Sequence, residues 1–140
     1  MKGTLQILIL DDERGGIQHL HNALSVKHSV TWTRTISEAS KAIDLGDFDV
    51  IICGTHLLNE SMFEFLKDVR DKAANKQIPF VCFRSGASAY AKANDPQIEY
   101  TSQLMGANAY IVADYETDTV ALLAEVEAAL ESVIRSKNET

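Results

Sequence analysis

The sequence predicts an α/β domain, a five-stranded parallel sheet with helices on both faces. Short apolar runs rich in β-branched residues alternate with helix-periodic segments five times along the 140 residues. Most of these runs are continuously apolar, as strands buried on both faces must be. Strand-helix alternation implies right-handed crossovers into one parallel sheet, a three-layer sandwich.

The first run, Leu5 to Leu10, stops abruptly at Asp11-Asp12-Glu13. After Gly15-Gly16, Ile17, Leu20 and Leu24 recur at helical spacing and form the first helix. His28 to Thr33 alternates, with Val30 and Trp32 inward, and reads as a half-buried second strand that His28 opens from an exposed position. Thr35 and Glu38 form a capping box for the second helix, which Gly46 ends. Phe48 to Cys53 is the third strand, and Met62, Phe65, Leu66 and Val69 trace the inner face of the third helix.

Ile78 to Phe83 is the fourth strand, with Pro79 near its start. Asp95-Pro96 is a cap and first-position pair, predicting a fourth helix from there to about Gly106. The stretch Gly86 to Asp95 then becomes a long loop, either a specialised contact or a tolerated insertion. Ala109 to Val112 is the fifth strand, and Val120, Leu123, Val126, Leu130 and Ile134 line the fifth helix.

Composition sets the function classes. At 46% apolar and 24% charged, the chain can bury one core without disulfides or metal staples. Its net charge of −7 argues against nucleic acid and anionic membrane as partners. Cys53 and Cys82 lie inside strand runs, which suits reduced core thiols facing opposite sides of the sheet. The N-terminus carries no signal-type stretch and no run approaches a membrane span, so the expectation is a cytoplasmic protein. Residues 1–140 read as one domain, with Ser136 to Thr140 a loose tail.

In such sheets function gathers at the carboxyl ends of the strands. There the motif Ile7-Leu8-Ile9-Leu10-Asp11-Asp12-Glu13, the strand Phe48 to Cys53 and the run Gly106-Ala107-Asn108-Ala109-Tyr110-Ile111-Val112 resemble response-regulator receiver domains, in the family's order. The resemblance covers almost the whole chain. It implies a flavodoxin-like (CheY-like) fold, five helices around a sheet ordered 2-1-3-4-5, and a place in two-component signalling. It also implies an acidic pair for magnesium, a phosphoacceptor aspartate, a hydroxyl residue and a lysine for the phosphoryl oxygens, and a reporting aromatic on the fifth strand.

Residue by residue the match is partial. Asp11 and Asp12 fit the acidic pair and Tyr110 fits the aromatic. Gly54 stands at the acceptor position, Arg84 at the hydroxyl position beside Ser85, and Ala113 at the lysine position. Phosphoryl transfer needs an oxygen nucleophile and clustered positive charge, and glycine and alanine supply neither. The sequence therefore reads as a pseudo-receiver: no catalytic residue, no cofactor, and at most weak magnesium at Asp11 and Asp12. Arg84 is placed to neutralise that acidic pair.

Read on its own, Asp11-Asp12-Glu13 is either a helix-capping strand end or a remnant of a metal site, and the fold context favours the remnant. His56 reads as a solvated loop histidine; His19 and His21, two residues apart on a helix, point to different faces. Thr55 and Ser85 have no evident base to activate them. Asp49 lies at the wrong end of its strand to accept a phosphoryl group.

The expected activity is phosphorylation-independent protein binding by a stand-alone receiver, with a histidine kinase, regulator or other signalling protein as partner. Its surface would carry the fourth helix, Tyr110 and the fifth helix, bordered by the loop around Tyr90. The alternatives are a conventional receiver inactivated at Gly54, and a flavodoxin-like nucleotide- or flavin-binding protein. The acids that open the first loop disfavour a phosphate cradle.

Overall fold

The structure is a computed structural model that describes residues 3–12, 17–57, 59–72, 77–85, 89–113 and 119–139. Five strands alternate with five helices in the described chain: β1 (Gln6–Leu10), α1 (Ile17–Ser25), β2 (Ser29–Thr33), α2 (Ile36–Leu45), β3 (Val50–Gly54), α3 (Met62–Asp71), β4 (Phe80–Ser85), α4 (Ala89–Leu104), β5 (Ala109–Ala113) and α5 (Thr119–Glu139). All strand pairs are parallel and the sheet order is β2-β1-β3-β4-β5, as the resemblance implies. The central strand β3 is buried along its whole length, which accounts for its unbroken apolar run.

Alternation along the strands divides the core into two layers. Ile7, Ile9, Ile52, Val81, Phe83 and Ile111 pack with α1 and α5. Leu8, Leu10, Ile51, Cys53, Phe80 and Cys82 pack with α2 and α3, joined by Ile98 and Met105 and by Tyr110. Cys53 and Cys82 therefore face the same side, contrary to expectation, because the register sets them directly opposite each other. Burial pushes the Cys82 thiol up to about 11 and the Cys53 thiol up as well, so both stay protonated packing residues.

The helices obey their local signals. Ile17, Leu20 and Leu24 of α1 are buried, as are Met62, Phe65, Leu66 and Val69 of α3. Thr35 Oγ1 accepts the Glu38 N–H at 3.1 Å, while the Glu38 carboxylate accepts the Arg34 N–H at 2.8 Å. Gly106 has φ +107°, the left-handed conformation glycine tolerates, and its carbonyl accepts the Arg70 guanidinium at 2.9 and 3.1 Å.

Helices α4 and α5 and the residue His28 depart from expectation. The fourth helix starts at Ala89, not at Asp95, and carries Pro96 inside it; residues 89–95 are therefore helical rather than loop. Residues 86–88 lie outside the described chain. His28 is 5% exposed: its Nδ1 accepts the Leu5 N–H at 3.0 Å and its Nε2 bonds Glu127 on α5 at 2.9 Å. The buried stripe of α5 is Leu122, Val126, Leu130 and Val133, whereas Val120 is 76% exposed. The same helix runs to Glu139, through residues expected as a tail; Thr140 lies outside the described chain. Among the described residues no helix is long and apolar enough to cross a membrane.

Candidate functional site at the carboxyl edge of the sheet

Strand ends bring the expected residues to one edge. Gly54, Ser85 and Ala113 are the last residues of β3, β4 and β5, with Arg84 one step before Ser85, and Asp11 directly follows β1. Glu13 lies outside the described residues, as does the side chain of Tyr90, which falls within α4.

Asp11 is 5% exposed. Its backbone N–H donates to Thr33 O at 3.1 Å and its carbonyl accepts the Trp32 indole N–H at 2.9 Å. The carboxylate folds inward, accepting the Asp12 N–H on Oδ1 at 2.8 Å. It lies directly over Gly54: a Cβ there would overlap the carboxylate carbon and both its oxygens. The position expected to present an acceptor side chain is thus filled from the side by its acidic neighbour. Glycine is the residue that leaves this space.

That arrangement does not fit magnesium. The ion asks for a near-octahedral shell of outward-facing oxygens. Here the Asp11 carboxylate is turned onto Gly54 and already accepts the Asp12 N–H.

Arg84 follows a different course from the one expected of it. It has the parity of Phe80 and Cys82, so it points to the α2–α3 face, away from the α1–α5 face shared by Ile9 and Ile52. Its side chain is only 2% exposed and grips Asp95 of α4: Nε to Oδ1 at 3.0 Å and Oδ2 at 3.2 Å, Nη2 to Oδ2 at 2.6 Å. Tyr110 completes the group by donating its hydroxyl to Asp95 Oδ1 at 2.5 Å. The planar fork suits a carboxylate, and burial of the cation demands such a partner.

The electrostatics follow the geometry. Partial burial pushes the Asp95 carboxyl up, but the hydrogen bonds from Arg84 and Tyr110, with the charges of Arg84 and His56, outweigh it and hold the group below its ordinary value. Burial first, then the bond to the Asp95 carboxylate, drives the Tyr110 hydroxyl well above its ordinary value. Tyr110 therefore stays a donor throughout the neutral range.

Beside this network Thr55 donates its N–H to Phe83 O at 3.1 Å, while its Oγ1 is the one buried side-chain polar atom without a hydrogen-bond partner among the described residues. Asp49 sits at the opposite end of the sheet, where its carboxylate accepts the Gln6 N–H at 2.8 Å, as its place in the strand implies. His56 is exposed.

Asp95 is the site residue that the sequence left unassigned. The signal was an arginine ending an apolar strand, Phe80 to Arg84, because a buried guanidinium needs an acid. Nothing local chooses among the many acids of this chain.

The fold is that of response-regulator receiver domains, CheY-like in its strand order. Among solved structures, the chain is similar to a chemotaxis response regulator of Vibrio cholerae at 21% identity and TM-score 0.69, covering 90% of this chain and 98% of that one. A two-component response regulator from Clostridium difficile is similar at 22% identity and TM-score 0.70, over 91% of this chain and 96% of that one. A response regulator receiver domain protein from Clostridium thermocellum aligns at 16% identity and TM-score 0.72, over 96% and 97%. No family model and no curated protein matches the sequence.

Proposed function

We propose that this chain is a receiver-type module of two-component signalling that acts by protein contact, without accepting a phosphoryl group. The observation that carries this reading is the Asp11 carboxylate lying in the space of a position-54 side chain. An acyl phosphate needs a carboxylate in line with the donor and open to it, and this edge offers none at Gly54. Ala113 brings no cation to steady the equatorial oxygens, and Arg84 is bound to Asp95.

The module is a binding protein rather than an enzyme. Tyr110 is held by Asp95, which orders its surface, and Gly54 carries no phosphoryl group that could bias a second arrangement. A histidine kinase, regulator or other signalling protein is the class of partner, engaged through α4, Tyr110 and α5.

The test is capture from the source cells of a kinase or regulator that binds the chain, followed by affinity measurement with and without acetyl phosphate and magnesium. Acetyl phosphate should leave the affinity unchanged, and Tyr110→Ala should weaken it by about tenfold or more. Binding that requires acetyl phosphate, or an unaltered affinity for Tyr110→Ala, contradicts the reading.

A further inference from the structure

We propose that residues 89–94, the first turns of α4, form a detachable segment that the Arg84–Asp95 ion pair latches to the edge of the sheet. The starting point is Pro96, which lies inside the 16-residue helix Ala89–Leu104. A proline in a helix interior donates no N–H and crowds the carbonyl four residues before it, so the joint after Asp95 is intrinsically weak. The same dipeptide, Asp95-Pro96, is a favoured cap and first position for a helix beginning at Pro96. Local preference therefore supports a short helix, and the structure contains a long one.

What tips the balance is where the Asp95 carboxylate goes. To cap a short helix it would turn to the free N–H groups after Pro96. In the structure it is held by the Arg84 fork and the Tyr110 hydroxyl. The two uses exclude one another, which makes the segment a two-state element.

Among the described side chains, packing differs on the two sides of Pro96. After the proline, Ile98 and Met105 pack on the core and Ser102 is fully buried. Before it, Lys92 and Ala93 are exposed and Asn94 is half-buried. Release of the latch would uncover the buried Arg84 and remodel the start of α4 while its second half stays docked. A module without a phosphoryl switch would then retain a mechanical one.

Amide exchange followed by NMR on the full chain tests this, and it reads the helix rather than phosphorylation, so it stands apart from the proposed function. In an α-helix the amides of residues 93, 94 and 95 bond the carbonyls of 89, 90 and 91. Asp95→Asn and Arg84→Met should each speed exchange at Ala93, Asn94 and residue 95 by about tenfold or more, with Tyr100 to Leu104 unchanged. Adding Pro96→Ala to Arg84→Met should restore the protection, because the helix no longer needs the latch across its weak joint. If the arginine variant does not fold, Tyr110→Phe, which removes one bond to Asp95, should give a smaller increase at the same amides. Unchanged exchange at 93–95 in the variants overturns the proposal, and so does a uniform rise that includes Tyr100 to Leu104 and β4.

Discussion

Gly54 and the Asp11 carboxylate occupy adjoining parts of one small volume, and that volume has room for only one side chain. A methyl group at position 54 forces the carboxylate to rotate away from its bond to the Asp12 N–H, in a region where Asp11 is 5% exposed. Gly54→Ala is therefore expected to destabilise the fold by about 1–3 kcal/mol, the range for an overpacked site that also loses a buried hydrogen bond. Urea unfolding of the two proteins checks this. A variant as stable as the parent would mean that Asp11 swings out freely and that the glycine is not required by its neighbour. The same overlap bears on Gly54→Asp, which would place two carboxylates in contact without the cation that position 113 lacks.

At the scale of elements, the Arg84–Asp95 pair joins β4 to α4 and explains why a helix runs through a proline. Sequence preference alone starts α4 at Asp95-Pro96, whereas the helix begins at Ala89 with the Asp95 side chain bonded to Arg84. The pair also imposes a pH dependence with a definite sign. Burial raises the Asp95 carboxyl but its bonds to Arg84 and Tyr110 prevail, so the folded group titrates below the unfolded one. Such a group stabilises the fold above its unfolded value and loses that contribution as pH falls through its folded value. Asp95→Asn should thus cost about 1–3 kcal/mol near neutrality, with a gap from the parent that is level down to about pH 5 and narrows below about pH 4. Unfolding midpoints across that range decide the matter; a gap that stays level to the lowest measurable pH would show that ionised Asp95 contributes nothing. His28 works at the same scale, tying the Leu5 amide to Glu127 of α5.

For the whole molecule, the parts legible in the sequence were those set by local pattern. Continuous apolar runs marked β1, β3 and β4 as buried strands, and Ile17, Leu20, Leu24 and the Met62–Val69 set marked the faces of α1 and α3. Gly54, Arg84 and Ala113 were placed at the right edge because strand ends are readable from where apolar runs stop. What could not be read depends on partners distant in the chain. His28 is buried by a contact with Glu127, 99 residues away. The shared face of Cys53 and Cys82 depends on strand register, and a shift by one residue would reverse it. The inward turn of Asp11 onto Gly54 and the choice of Asp95 by Arg84 are likewise set by assembly of the sheet edge.

The central claim is that this edge is closed to phosphoryl transfer, and intact-mass spectrometry of the protein after incubation with acetyl phosphate and magnesium tests it most directly. The mass should remain that of the unmodified chain, because Gly54 supplies no nucleophile and Asp11 is folded inward over it. A stoichiometric phosphoryl adduct, labile to hydroxylamine as an acyl phosphate is, would contradict it.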